Sequence, residues 1–110
     1  MKVHLITETT LKKFVQKNKQ SEIPITNWLR NIKYMRCSKP DDIKKTFPSV
    51  DLLGGGTNRV VFDIGGNNNR IIAEYYFGST RLHLYICWIG THTEYTKLCN
   101  EKKQYSITDY

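Results

Sequence analysis

No stretch of this chain approaches the ~20 consecutive apolar residues of a membrane-spanning helix. The opening Met1-Lys2-Val3-His4-Leu5-Ile6 has a brief apolar run and no small-residue cleavage pattern, so a secretory signal is not expected and the cytoplasm is the expected location. Cysteine is scarce. Cys37, Cys87 and Cys99 are odd in number, widely spaced and without a CxxC pair. That argues for three reduced thiols packed as small apolar residues, and against a zinc site, whose ligands come in closely spaced pairs. No Gly-rich loop leads into Gly-Lys-Ser/Thr, and Gly65-Gly66 opens a hairpin rather than a helix, so nucleotide hydrolysis is not expected. There is no internal repeat and no low-complexity tract. No metal or organic cofactor is indicated.

What is present fits one small folded domain. The chain has 110 residues, 39% of them hydrophobic, with seven Tyr, four Phe and two Trp, enough for one modest core. The formal net charge is +7, and it is unevenly spread. Residues 1–50 hold 11 Lys/Arg against 4 Asp/Glu, whereas residues 51–110 hold 6 of each. A basic half joined to a neutral one suits a surface that meets a polyanion, because Lys or Arg placed on phosphates releases condensed counterions. Lysines on helices also commonly do no more than keep a face solvated, and charge alone does not separate the two.

Hydrophobic periodicity divides the chain in the same place. Residues 3–6 read as a short strand, and Thr7-Glu8-Thr9-Thr10 supplies helix caps. Leu11, Phe14 and Val15 then recur at helical spacing, with Lys12, Lys13 and Lys17 pointing elsewhere. After a break at Gln20-Ser21, Pro24 suits the first turn of a second helix with the stripe Ile25, Trp28, Leu29, Ile32 and Met35, and Arg30, Lys33 and Arg36 opposite. A short helical piece ends before Pro48. Beyond Gly54-Gly55-Gly56 the period becomes strand-like, and Arg59–Ile64, Arg70–Phe77 and Arg81–Ile89 read as an antiparallel meander. Thr91–Asn100 reads as a short helix or turn, and Glu101–Tyr110 as a polar tail expected to fray. The expected class is α+β, in the order β-α-α-(α)-β-β-β-α, with an antiparallel sheet packed on two N-terminal helices. Residues 1–100 form the expected domain.

Strand alternation sorts the residues able to do chemistry. Leu82, Leu84, Ile86 and Trp88 share the expected core face of the last strand, and Arg81, His83, Tyr85 and Cys87 the other. With Arg70 and Tyr76 from the preceding strand, that second face mixes arginine and tyrosine, a combination suited to single-stranded RNA. It is equally the composition of a solvated sheet face. The sharpest local feature is Thr91-His92-Thr93-Glu94-Tyr95, in which His92 and Tyr95, three apart, share one face of a helical turn. Ribonuclease chemistry needs groups to move protons at the 2′-hydroxyl and the leaving 5′ oxygen, and a cation for the phosphate. His92, Tyr95 and Arg70 are the right types. Taken alone, a histidine before a helix is also an ordinary cap or surface residue. His83 is a second choice, and His4, between Val3 and Leu5, reads as structural.

The ordered set Val3-His4-Leu5-Ile6, Phe47-Pro48-Ser49, Val60-Val61-Phe62-Asp63-Ile64-Gly65-Gly66-Asn67, Arg70-Ile71-Ile72-Ala73 and Thr91-His92-Thr93-Glu94-Tyr95 resembles the HigB family of type II toxins across residues 1–100. The resemblance implies a RelE-like fold and metal-independent endoribonuclease cleavage of mRNA on the ribosome, which inhibits translation. It also implies neutralisation by a helix-turn-helix antitoxin, with operator DNA reached only through that complex. It puts the catalytic roles on Arg70, His92 and Tyr95, and leaves Arg81, His83, Tyr85, Lys12, Lys13, Arg30 and Lys33 as the expected RNA contacts. Two positions depart from the family pattern. Many relatives have Asn at the position of Asp63, and many have a basic residue at that of Asn68. Two other readings remain at this level: a non-catalytic RNA- or ribosome-binding module of the same fold, and a subunit that mainly binds its protein partner and represses transcription with it.

Overall fold

The structure is a computed structural model that describes residues 1–6, 8–66 and 68–109. Thr7 among the expected caps, Asn67 in the hairpin turn and Tyr110 in the tail lie outside the described residues. The elements are β1 (Lys2–Ile6), α1 (Glu8–Lys17), α2 (Glu22–Tyr34), α3 (Ile43–Thr46), β2 (Asp51–Leu52), β3 (Arg59–Ile64), β4 (Asn69–Phe77), β5 (Arg81–Thr91) and α4 (His92–Asn100). The fold is α+β, with one five-stranded sheet in the order β1-β5-β4-β3-β2.

The helical stripes go where their spacing sends them. Leu11 of α1 and Ile25, Trp28 and Ile32 of α2 are buried against Val60, Phe62, Ile64, Ile71, Ala73, Leu82, Leu84 and Ile86 on one face of the sheet. The Phe62 ring meets Trp28 and Phe47 edge-on, with centroids 5.2 and 5.1 Å away. Pro24 sits in the first turn of α2, where a missing N–H costs no helical bond.

The sheet is mixed rather than antiparallel throughout. β1 pairs with β5 in parallel, Lys2 opposite Arg81 through Ile6 opposite Tyr85. A parallel neighbour needs a long crossover, which the helical layer supplies. β1 alone is five residues and carries no sign of its direction. The two-residue β2, antiparallel to β3, is too short to show a period.

A bulge moves Trp88. Ile72 is opposite Trp88 and Ala73 opposite Ile86, so Cys87 is the extra residue and the alternation of β5 slips by one beyond it. Leu82, Leu84, Ile86 and then Ile89 face the helices. Trp88, expected beside them, joins Cys87, Val61, Ile72 and Leu98 in a second cluster on the opposite face.

That second face also holds part of the tail, between Gln104 and Asp109. Ile107 packs on the second cluster, and Asp109 N donates to Cys87 O at 2.8 Å. Arg59, only 2% exposed, is the clamp. Its guanidinium pairs with Glu74 at 3.0 Å, and its Nη1 donates to the carbonyls of Gln104 (3.2 Å) and Ile107 (2.8 Å). Among the described residues no helix is long and apolar enough to cross a membrane.

Candidate active site

β3 and β4 form a hairpin whose turn begins at Gly65 and Gly66, with φ of 62° and 70°, a region that favours glycine. The register places Asp63 directly opposite Arg70 on the face away from α1 and α2. Arg70 Nε lies 2.9 Å from Asp63 Oδ1, and Nη1 donates to Asn69 O at 3.1 Å.

β5 delivers the second half of the site. Thr91 is opposite Asn69 and caps α4 with a reciprocal pair of bonds: Glu94 N donates to Thr91 Oγ1 at 3.1 Å, and Thr91 N donates to Glu94 Oε1 at 2.8 Å. The sequence pattern Thr-x-x-Glu signals this capping box, so the start of α4 is legible from four residues. His92, the first helical residue, donates its backbone N–H to Asn68 O at 3.1 Å. The imidazole is thereby brought to Arg70, with Nδ1 2.9 Å from Nη2. Arginine only donates, so Nδ1 is the acceptor, and in the neutral ring the proton sits on Nε2. Arg70 is 7% exposed, whereas His92 is exposed.

Tyr95 follows one turn later, half-buried, its ring 6.1 Å from that of Trp88. The Trp88 ring occupies the space of a side chain at Gly90, where an added Cβ would sit 2.6 Å from Cζ2 and Cη2. Glycine at 90 therefore leaves room for the indole, which lies at 43° to the Tyr95 ring. Burial, reinforced by a hydrogen bond with Cys99, pushes the Tyr95 phenol well above its ordinary pKa, and the charge of Arg70 offsets this only in part. The phenol stays protonated near neutral pH and can donate.

The same burial has a stability consequence. Burial also pushes the Cys87 thiol up. As pH rises past the ordinary thiol and phenol values, the unfolded chain loses protons that the folded chain keeps. The unfolded state then binds fewer protons, so stability falls with rising pH. Urea midpoints measured from about pH 8 to 11 should decline, and Tyr95→Phe should flatten the part above the ordinary phenol value, about 10.

The remaining expected RNA contacts lie elsewhere. Arg81, His83 and Tyr85 sit at the start of β5, and Tyr85 is on the order of 20 Å along the strand from Thr91. Tyr85 and Tyr76 are exposed there and meet edge to face at 5.4 Å. His4, read as structural from its neighbours, is exposed and shares a 3.2 Å Nδ1–Nδ1 contact with His83. Lys12, Lys13, Arg30 and Lys33 are exposed on α1 and α2, across the sheet from Arg70. Sequence reasoning passed over Asp63 as a partner for Arg70. The available signal was strand pairing, since Arg59, Val61 and Asp63 share one face opposite Glu74, Ile72 and Arg70.

Residues 21–98 match the family model described as HigB toxin, the RelE-like toxic component of a toxin-antitoxin system. Among curated proteins, the mRNA interferase toxin HigB of Escherichia coli strain K12 is 33% identical over 93 residues, covering 84% of this chain and 88% of that protein. The mRNA interferase HigB of Shigella flexneri matches to the same extent. That of Escherichia coli O6:H1 is 29% identical over 96 residues, 87% of this chain and 91% of the relative.

Proposed function

The chain belongs to the HigB family of RelE-like toxins, and on that premise we propose that Arg70, His92 and Tyr95 carry its reaction. It is the toxin of a toxin-antitoxin pair and an endoribonuclease that cleaves mRNA. The observation that supports the site is the 2.9 Å contact between Arg70 Nη2 and His92 Nδ1 at the N-terminus of α4, where helix and guanidinium both favour an anion.

In this arrangement the ribose 2′-oxygen attacks the adjacent phosphorus and the 5′ oxygen leaves. Arg70 supplies positive charge to the phosphate as negative charge gathers on it. His92 Nε2–H and the protonated Tyr95 hydroxyl are the donors. The 2′-hydroxyl proton passes to His92 Nδ1 as Arg70 Nη2 turns from that nitrogen to the phosphate, and the Nε2 proton of the resulting imidazolium goes to the leaving 5′ oxygen. Arg70 and His92 therefore act as a unit. The expected products carry 2′,3′-cyclic phosphate or 3′-phosphate ends.

The same reading puts the reaction on the ribosome in the cytoplasm, with a helix-turn-helix antitoxin as partner and operator DNA met only through their complex. Arg81, His83 and Tyr85 contact RNA farther along the sheet, and Lys12, Lys13, Arg30 and Lys33 meet phosphates from the helical layer. Expression without an antitoxin tests the reading. Growth should arrest with translation blocked and new mRNA 5′ ends present. Normal growth with unchanged ends at high soluble expression would favour a non-catalytic binding module.

Charge reversal at Lys12, Lys13, Arg30 and Lys33 should weaken ribosome association and flatten its dependence on salt. Folding should be unaffected, because all four side chains are exposed. An unchanged salt slope in cosedimentation would assign this charge to another partner.

A further inference from the structure

The pairing of Asp63 with Arg70 reaches beyond those two residues. The carboxylate oxygen Oδ1 lies 2.9 Å from Arg70 Nε, and on the same guanidinium Nη2 lies 2.9 Å from His92 Nδ1. Asp63 and Arg70 are directly opposite in the β3–β4 register, so the sheet itself fixes their separation. His92 is fixed independently, by its backbone bond to Asn68 and the cap at Thr91. The guanidinium is planar, and holding one edge on Asp63 sets the direction of the edge that reaches the imidazole.

We propose that Asp63 is a positioning residue for RNA cleavage: it holds Arg70 so that His92 keeps Nδ1 as acceptor and presents Nε2–H to the substrate. This inference rests on the reading of Arg70 and His92 as catalytic. A carboxylate does this differently from an amide. An Asn side chain at 63 could still accept from Arg70 Nε, but without the charge that makes the bond strong. Without either acceptor the Nε edge loses its anchor, so the Nη2 edge is less firmly directed at the imidazole even with Nη1 on Asn69 O, and neutral His92 can exchange tautomers. Asp63 touches neither substrate nor reacting atoms in this arrangement. Its effect travels through the orientation of Arg70 to that of His92.

Two variants separate positioning from general damage. Asp63→Ala should lower the maximal cleavage rate on programmed ribosomes on the order of 10²-fold, with little change in KM, because small misplacements of catalytic groups are costly. Asp63→Asn should recover most of that loss. Two-bond proton–nitrogen NMR correlations of ¹⁵N-labelled full-length protein should show the Nε2–H tautomer of His92 in the wild type and in Asp63→Asn. Asp63→Ala should give a mixture of tautomers. Melting curves identify any variant that has unfolded, and Asp63→Asn then carries the test, through a smaller loss in maximal rate and a shifted pH profile. An unchanged tautomer and rate in Asp63→Ala would overturn the proposal, as would a faster rate, which would mean that Asp63 restrains Arg70 by competing with phosphate. His92→Gln keeps the two readings apart. If it cleaves at the wild-type rate while Asp63→Ala still shifts the tautomer, the catalytic assignment of His92 fails and the Asp63–Arg70–His92 alignment stands.

Discussion

His92→Gln should lower the rate of mRNA cleavage by about 10²–10⁴-fold, the usual cost of losing a proton-transfer group. Glutamine keeps approximate size and a hydrogen-bonding end at the first position of α4, so the Thr91–Glu94 cap should survive. What it loses is the imidazole ring, whose two nitrogens can take and give a proton. Ribosome or RNA binding should change far less than rate, because the missing interaction belongs to the transition state. Arg70→Lys should also be strongly impaired, since lysine has the charge without the planar fork that spans Asp63 and His92. Because the two side chains act through a shared contact, the double variant should be little worse than the poorer single one. Single-turnover kinetics on programmed ribosomes would show this. Additive losses, or a fully active His92→Gln, would break the pair apart and turn attention to His83.

Arg59→Met should cost about 3 kcal/mol of stability, near the lower end of what removing one partner from a buried ion pair costs. Methionine retains the apolar stem, so the loss isolates the charged head. The guanidinium holds Glu74, whose side chain is 23% exposed and so partly relieved by water once unpaired, which keeps the estimate low in the range. It also serves the carbonyls of Gln104 and Ile107, which lose their donor. For a domain of this size the midpoint of thermal unfolding should fall by roughly 10–20 °C. Amide exchange should accelerate at Ile107 and Asp109, because the clamp on the tail is gone. A shift of only a degree or two would mean that Ile107 and the Asp109–Cys87 bond hold the tail without the arginine.

The order of elements and the helical layer are legible in the sequence because their signals are local. The stripe Ile25, Trp28, Ile32 and the turn glycines each work within a few residues. The meeting of Arg70 with His92 is half legible: capping at Thr91 is local, but the approach to β4 depends on the register of a neighbouring strand. The bulge at Cys87 is hidden for a different reason. From Ile86 to Ile89 every residue is apolar, so a slip of one leaves no polar side chain on the wrong face to reveal it. Trp88 consequently reads as part of the helix-facing core, when it belongs beside Tyr95. The tail is composed like a solvent-exposed end, and its order comes from Arg59, 45 residues away from Gln104 in the chain. The parallel pairing of β1 is equally non-local. Asp63 is visible as a departure from the family pattern, but only the hairpin register turns it into the partner of Arg70.

The chemistry of the RNA ends tests the central claim most directly. Attack by the 2′-hydroxyl, assisted by Arg70, His92 and Tyr95, leaves a 2′,3′-cyclic phosphate or 3′-phosphate upstream and a 5′-hydroxyl downstream. It should proceed unchanged in excess EDTA once the ribosomes are stabilised by other polycations. Those ends, produced by the wild-type protein and lost with His92→Gln, are the result this account predicts. Products with 3′-hydroxyl and 5′-phosphate ends, or cleavage by the toxin that stops with the chelator, would contradict it.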